Sequence, residues 1–313
     1  MHVVIVRSSN DPNQALHRLQ STPLLEGLGR LGVRATLVAL DDGPMKIDPP
    51  THAVFHYFDN RAIASAAQLR KKLKVKLVCL CSDIYSFSKV CSLADVSDLL
   101  LAPTMLHCDM IRSAVMKPVR MLPEAVDPIA LPGSGQALPA AEGGNICWFG
   151  YPESFDKSMR HVLPQAMKAA DFPSGRINLI TAPGSEVMPG LRHIVFAPGT
   201  FYAATAEFSH ALLSHFAHDH HINTFIKSPN KMVTALVRGL VPLASATPSY
   251  LQLAQRYQLG GLLFAGPGGL ARHLKALDAS RDRQKYGLAD VASQLLKAHS
   301  PEAIARTFLE IVS

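Results

Sequence analysis

Short apolar runs, rich in valine, isoleucine and leucine, alternate with stretches of helical periodicity along most of the chain. Runs of this kind suit the strands of a parallel sheet, because such strands are buried on both faces. In the first half they lie at 2–7, 33–40, 53–57, 75–81, 99–102 and 119–122. In the second half they lie at 146–149, 177–181, 194–196, 211–216, 241–246 and 261–264. Strands and helices in this alternation predict an α/β fold with doubly wound parallel sheets.

A single stretch rich in proline, glycine and alanine separates the two series of runs. It reads PIALPGSGQALPAAEGG at 128–144, a composition typical of an interdomain linker. The 313 residues also suffice for two domains of ordinary size. We therefore expect two Rossmann-like domains with a crevice between them. They are residues 1–128, joined by a linker at 129–144 to residues 145–313, which end in amphipathic helices.

The net charge of the chain indicates which classes of partner it is suited to bind. A formal net charge of +7 favours anionic partners such as nucleotides, acidic glycans or an anionic membrane surface. The basic residues are scattered and the chain has one Trp and seven Tyr, so the base-stacking pattern of single-strand binders is absent and no nucleic-acid partner is expected.

None of the five cysteines forms a CxxC pair, and no signal-peptide pattern opens the sequence. We expect a cytoplasmic protein, with peripheral contact to an anionic membrane as an open alternative.

The segment at 226–250, IKSPNKMVTALVRGLVPLASATPSY, carries the most distinctive polar pattern. Ser228 is a suitable N-cap for a helix that Gly239 ends, and an apolar strand follows. Lys227 and Lys231 lie near the helix N-terminus, where the helix dipole disfavours cations unless an anion is bound. The pattern thus indicates either a phosphate site or two solvated lysines.

Motifs of several enzyme classes are absent. The first strand is followed by SSNDPNQALHRL rather than GxGxxG, which argues against a dinucleotide cofactor at that position. The sequence has no GxxxxGK[ST] and no GxSxG, so a Walker-type nucleotidase and a serine hydrolase of the elbow type have no support.

Polar residues that directly follow apolar runs are candidates for chemistry, because ligands of open α/β sheets bind at the carboxyl ends of strands. Asp11 and Asp83 occupy such positions and could each act as a general base. The alternatives are an Asx turn for Asp11 and a helix N-cap for Ser82 or Asp83. His56 also ends a run, but its position is more typical of a core histidine with satisfied hydrogen bonds.

A cluster of histidines offers a possible metal site. His215, His218, His220 and His221 lie with Asp219 in HFAHDHH, and these side chains could form a zinc shell. Histidines so close together in a loop often point in different directions, and no distant ligand is evident. We expect a polar loop and no bound metal.

Several segments resemble the GT-B glycosyltransferases. KSPNKMVTALVRGLVPLAS at 227–245, followed by TPSY, is similar to the lysine, helix and aGxPvv motif of their C-terminal half. LLLAPT at 99–104 and VRMLPEAVD at 119–127 resemble their ADavvapS and vipnGvD segments. ICWFGYPESFDKSMRHVLPQAM at 146–167 resembles the strand, glycine loop and lysine that open the donor-binding domain.

The resemblance implies a hexosyltransferase-like enzyme of glycan or secondary-metabolite synthesis. Such an enzyme needs no cofactor or metal and moves a sugar from a nucleotide-diphosphate-sugar to a glycan or small-molecule acceptor. The first domain would bind the acceptor and the second the donor. The donor-binding residues that it implies are Lys157 and Lys227 for the phosphates, Ser228, Asn230 and Lys231 at the helix start, Gly150 for close backbone approach, and Thr247, Ser249 and Tyr250 near the nucleotide or sugar.

The sequence departs from the family pattern at three positions. Ile226 and Thr234 stand where many retaining members carry glutamates, and Tyr151 replaces the usual arginine after the first glycine of the donor domain. An inverting mechanism with Asp11 or Asp83 as base requires neither glutamate. A nucleotide-sugar epimerase of the same fold and an inactive GT-B-like binding or scaffold protein are the alternative functions.

Overall fold

The computed structural model describes most of the chain: residues 1–7, 11, 14–39, 49–56, 60–72, 74–84, 86–132, 140–182, 188, 190–214 and 222–313. The chain divides into two compact units. Unit 1 consists of Met1–Ala125, Phe225–Ser228 and Lys297–Ser313, and unit 2 of Val126–Thr224 and Pro229–Leu296. Residues 133–139 of the predicted linker and the predicted histidine cluster, His215, His218, His220 and His221, lie outside the described residues.

Unit 1 contains a six-stranded parallel sheet. Its strands are β1 (His2–Arg7), β2 (Arg34–Ala39), β3 (His52–His56), β4 (Lys76–Leu80), β5 (Leu99–Ala102) and β6 (Val119–Met121). Their order is β2-β1-β3-β4-β5-β6. The chain passes from β1 to one side of the sheet and returns to build the other side from β3, so the topological switch point lies between β1 and β3.

Unit 2 contains a second six-stranded parallel sheet. Its strands are β7 (Ile146–Phe149), β8 (Ile177–Thr181), β9 (Arg192–Val195), β10 (His210–Leu213), β11 (Val241–Ser245) and β12 (Leu263–Phe264). The order β12-β11-β10-β7-β8-β9 places the switch point between β7 and β10. Both sheets confirm the predicted α/β class, since each strand found in the structure overlaps one of the apolar runs.

Helices surround the strands in both units. In unit 1 they are α1 (Thr22–Arg30), α2 (Asn60–Lys72), α3 (Phe87–Val96) and α4 (Met105–Arg112). The next helices along the chain are α5 (Pro152–Met159), α6 (Val162–Ala170), α7 (Pro198–Ala204), α8 (Ile222–Ile226), α9 (Asn230–Arg238), α10 (Pro248–Tyr257), α11 (Gly266–Lys275), α12 (Ala279–Lys285), α13 (Leu288–Ala298) and α14 (Pro301–Val312). Among the helices described, none is long and apolar enough to cross a membrane.

The last helix, α14, belongs to unit 1, whereas the sequence pattern placed all of 145–313 in the second domain. Its apolar face, which includes Phe308, packs with Leu24 and Leu28 of α1 in one hydrophobic core. Gly27 permits the close approach, because a Cβ at this position would lie 2.0 Å from the carbonyl oxygen of Pro301. An amphipathic pattern predicts that a helix buries a face, but it does not identify the partner.

The start of α9 differs from the prediction by one residue. Pro229, not Ser228, is the N-cap, and no side chain caps this helix. The Ser228 hydroxyl instead donates a hydrogen bond to the Glu124 carboxylate. The predicted end is confirmed, since Gly239 has the left-handed conformation (φ 85°) that glycine adopts without strain.

Candidate functional site

The switch point of the second sheet brings a glycine and a lysine together. Gly150 directly follows β7 with a φ of 154°, a conformation that favours glycine. A Cβ at Gly150 would lie 2.5 Å from the Lys231 ammonium nitrogen and 2.9 Å from the Trp148 ring. The ammonium lies 4.9 Å from the centre of the Trp148 ring, within cation–π distance. The missing side chain of Gly150 therefore leaves the space that Lys231 occupies at the carboxyl end of β7.

Two buried serines hold the Trp148 ring in place. Ser214 follows β10, the strand across the switch point, and its hydroxyl lies 2.6 Å from that of Ser158 on α5. The indole nitrogen of Trp148 donates to the same Ser214 oxygen at 3.4 Å. These buried hydrogen bonds fix the ring on which Lys231 rests. Neither Ser158 nor Ser214 is predictable from the sequence, because single serines occur throughout the chain.

The first turn of α9 carries the predicted residues Asn230 and Lys231. The Thr234 hydroxyl donates to the Asn230 side-chain oxygen at 3.2 Å, which holds that amide over the first turn. Thr234, which stands at one of the family's glutamate positions, is buried. The side chain at position 234 is therefore a buried hydroxyl and not a carboxylate.

The remaining donor-binding predictions lie at different depths. Thr247 is the N-cap of α10, and Thr181 ends β8. The hydroxyls of both are buried and have no hydrogen-bond partner among the described residues. Ser249 is buried, and Tyr250 lies within the main hydrophobic core of unit 2, where burial raises its pKa. Lys157 is exposed on α5. The two unsatisfied hydroxyls are the ones whose environment most favours a polar ligand.

A network of polar side chains lies at the carboxyl ends of β4 and β6 in unit 1. The Lys227 ammonium lies 2.6 Å from the Asp83 carboxylate. Gln20 donates to one oxygen of Glu124 at 3.1 Å, and Ser228 donates to the other. Ser82 donates to the Gln20 side-chain oxygen at 3.1 Å. We call these residues the Glu124 network: Gln20, Ser82, Asp83, Glu124, Lys227 and Ser228.

Glu124 has the most perturbed carboxyl group of this network. Burial raises its pKa above the usual value, and the hydrogen bonds from Ser228 and Gln20 oppose that increase. The neighbouring Asp83 carboxylate raises the pKa of Glu124 further, and Lys227 lowers it. Two carboxyl groups in different environments are the usual basis for separate acid and base roles. Glu124 was not predicted as a site residue, because a glutamate after a strand of three residues has no distinctive pattern.

The predicted residues of the 226–250 segment belong to different units of the structure. Lys227 and Ser228 lie in unit 1, whereas Asn230 and Lys231 lie in unit 2. Asp83 is not a helix N-cap, because α3 starts three residues later at the cap Ser86. Asp11 is exposed, and its backbone oxygen accepts a hydrogen bond from the ring of His17 at 2.7 Å.

No group of three or more potential metal ligands is found among the described residues. The histidine cluster lies outside those residues.

The fold matches several solved glycosyltransferase structures over their whole length. No protein-family model and no curated protein matches the sequence. Anabaena HepE, solved in complex with UDP, has 11% identity and a TM-score of 0.67, covering 100% of this chain and 99% of that one. The lipopolysaccharide outer core galactosyltransferase WaaB has 10% identity and a TM-score of 0.60 over 100% and 99% of the two chains. A DNA-modifying β-glucosyltransferase has 12% identity and a TM-score of 0.55 over 98% and 95%.

At these identities the similarity is one of fold. The chain has the GT-B fold: two Rossmann-like units, each with a six-stranded parallel sheet. The predicted fold class is confirmed.

Proposed function

We propose that this protein is a glycosyltransferase that moves a sugar from a nucleotide-diphosphate-sugar to a glycan or small-molecule acceptor. One observation carries the proposal: Lys231 places its ammonium group beside Gly150, at the switch point of the second sheet. Dinucleotide and nucleotide ligands of doubly wound sheets bind at such points. HepE, which has the same fold, was solved with UDP, and this makes UDP the first nucleotide to test.

The donor diphosphate would be bound without a metal ion. Lys231 supplies a positive charge, and the first turn of α9 supplies backbone N–H groups and the positive end of the helix dipole. These groups would stabilise the negative charge that develops on the leaving diphosphate. Gly150 would permit backbone approach, and the buried hydroxyls of Thr247 and Thr181 would hydrogen-bond the nucleotide or the sugar.

Unit 1 would bind the acceptor and supply the base. In an inverting transfer the acceptor oxygen attacks the anomeric carbon, the bond to the diphosphate breaks, and the acceptor proton passes to a carboxylate. Asp11 and Asp83 remain the proposed bases, and Glu124 joins them because its raised pKa makes it a stronger proton acceptor. The Glu124 network supports Asp83 over Asp11, since Asp83 is held in a polar cluster while Asp11 is exposed.

We further propose a role in polysaccharide or glycolipid synthesis at a membrane surface. WaaB is described as a lipopolysaccharide galactosyltransferase, which favours a role in polysaccharide or glycolipid synthesis here. The net charge of +7 is in keeping with an anionic lipid surface. Lys71 and Lys72, exposed at the end of α2, would contact such a surface from the cytoplasm, whereas the neighbouring Arg70 pairs with Asp98.

Calorimetric titration with UDP tests the donor site. Lys231→Ala should weaken UDP binding about tenfold or more, because a hydrogen bond to a charged group is lost. Lys285→Ala is the matched control, since Lys285 also lies 4.9 Å from an aromatic ring, that of Tyr286 in the same unit. Its UDP affinity should equal that of the wild type. Equal affinities in all three proteins would contradict the donor assignment.

Ile226 and Thr234 stand at the two positions where many retaining members of the family carry glutamates. The lack of both carboxylates favours an alternative function, that of an inactive binding or scaffold protein. A panel of nucleoside diphosphates that gives no heat with the wild type would support this alternative. An epimerase of the same fold would release or isomerise the sugar in the absence of any acceptor, which product analysis would detect.

A further inference from the structure

Arg7 is a buried charge with no buried counterion among the residues that the structure describes. It is the last residue of β1 and only 8% exposed. One terminal guanidinium nitrogen donates a hydrogen bond to the Thr22 hydroxyl, and the buried Nε has no hydrogen-bond partner within the described ranges. Within the described part of the chain, no carboxylate pairs with it. Burial lowers its pKa. Arginine is rarely buried so fully unless it is paired, because an isolated charge is costly to remove from water.

Two buried histidines lie beside Arg7. His56, the last residue of β3, is 1% exposed, and its Nε2 lies 2.5 Å from the Ser21 hydroxyl. His17 is fully buried, and its Nδ1–H donates to the backbone oxygen of Asp11. In the part of the chain that the structure describes, neither the Nδ1 of His56 nor the Nε2 of His17 has a hydrogen-bond partner. The two rings lie 6.3 Å apart. Burial, His17 and Arg7 lower the pKa of His56 to about 3, and burial is likewise the main cause that lowers the pKa of His17.

This cluster lies at the carboxyl ends of two neighbouring strands of the first sheet. Arg7 and His56 end β1 and β3, the neighbouring strands on either side of the switch point of the first sheet. This is the edge at which doubly wound sheets bind ligands. His17 and Ser21 begin and end a π-helical segment, His17–Ser21, that leads into α1. Segments of this kind are rare and occur frequently at functional sites.

We propose that Arg7, His17, His56 and Thr22 bind an oxyanion, a phosphate or carboxylate group carried by the acceptor. The guanidinium fork matches both groups with paired hydrogen bonds. Thr22 is exposed, so the guanidinium end of Arg7 reaches a surface residue. A bound anion favours the imidazolium form of His17, whose Nε2 then becomes a donor. The anion site itself does not depend on the proposed function, but its assignment to the acceptor rests on that function.

Calorimetric titration of the full chain with orthophosphate and with glucuronate tests the site. The wild type should bind at least one of them, and the stronger ligand identifies the anion as phosphate or carboxylate. Arg7→Met should weaken that binding about tenfold or more. Arg30→Met is the control, because Arg30 is exposed on α1 and pairs with Glu26. If neither anion binds, or if Arg7→Met binds as tightly as the wild type, the proposal is wrong.

The melting temperature of the anion-free protein separates a binding role from a structural one. Replacing an unpaired buried charge by an apolar side chain of similar length is often neutral or stabilising. Arg7→Met should therefore melt at or above the wild-type temperature, and a lower melting temperature or failure to fold would overturn the proposal. Thr22→Val, a surface change, should weaken anion binding without unfolding the chain; unchanged affinity in this variant would also count against the site.

Titration of UDP into the same variants distinguishes this inference from the proposed function. A wild type that binds phosphate through Arg7 but does not bind UDP would support the anion site and contradict the donor site. A wild type that binds UDP but does not bind phosphate through Arg7 would support the donor site and contradict the anion site.

Discussion

The Lys227 ammonium lies 2.6 Å from the Asp83 carboxylate, and both residues belong to unit 1. Lys227 is one of the two lysines, with Lys157, that the family resemblance assigns to the donor phosphates. Its partner in the structure is a carboxylate, whereas Lys231 lies beside Gly150 in unit 2. We therefore assign the main role in donor binding to Lys231. Lys227 positions Asp83 and contributes to the charge around Glu124.

Asp83→Asn should reduce turnover while leaving donor affinity unchanged. Loss of a general base typically lowers the rate about 10²- to 10⁴-fold. Glycosyl transfer and UDP affinity are measured on the same preparations, with Asp95→Asn, an exposed change in unit 1, as the control. If Asp11→Asn loses turnover and Asp83→Asn does not, Asp11 is the base.

Gly150→Ala should weaken UDP binding about tenfold, since the added methyl group displaces an ammonium that bonds a charged ligand. The new Cβ would lie 2.5 Å from the Lys231 nitrogen, at a φ of 154° that alanine rarely adopts. Gly199→Ala is the control, because no atom of another part of the protein lies within 4 Å of a Cβ built there. A Gly150→Ala protein that is folded and binds UDP normally would show that Lys231 does not contact the diphosphate.

Glu124→Gln should stabilise the protein at high pH and have little effect at low pH. The pKa of Glu124 is raised in the folded state, mainly by burial, so folding favours the protonated form. The stability this form contributes is present below the usual pKa of 4.5 and is lost as the pH rises through the raised folded value. Glutamine imitates the protonated form at every pH. Melting temperatures of both proteins between pH 4 and 8 test this; a difference that does not grow with pH would contradict the raised pKa.

Gly27→Ala should destabilise the contact between α1 and α14 by about 1–3 kcal/mol, the usual cost of overpacking a core. The new Cβ would lie 2.0 Å from the Pro301 carbonyl oxygen and 2.7 Å from the Ala305 Cβ. Gly29→Ala, on the same helix with no such neighbours, should instead stabilise by up to about 1 kcal/mol through helix propensity. Denaturant unfolding of both variants checks the prediction, and equal effects would mean that α14 does not pack closely on Gly27.

The periodicity of the sequence was sufficient to predict the strands of both sheets, because parallel strands are apolar on both faces. It could not assign α14 to unit 1, since amphipathicity specifies a buried face without naming its neighbour. Nor could it decide between Lys227 and Lys231, which lie near the same helix start in the sequence but in different units. Arg7 and His56 were missed as a pair, because only the order of β1 and β3 in the sheet makes them neighbours.

A crystal structure with bound UDP tests the central claim most directly. We expect the diphosphate at the switch point of the second sheet, with its oxygens about 3 Å from the Lys231 ammonium and from backbone N–H groups of the first turn of α9. A diphosphate bound away from Lys231 would contradict the proposed donor site. A protein that takes up neither UDP nor any other nucleoside diphosphate would contradict the proposed function of a nucleotide-sugar-dependent glycosyltransferase.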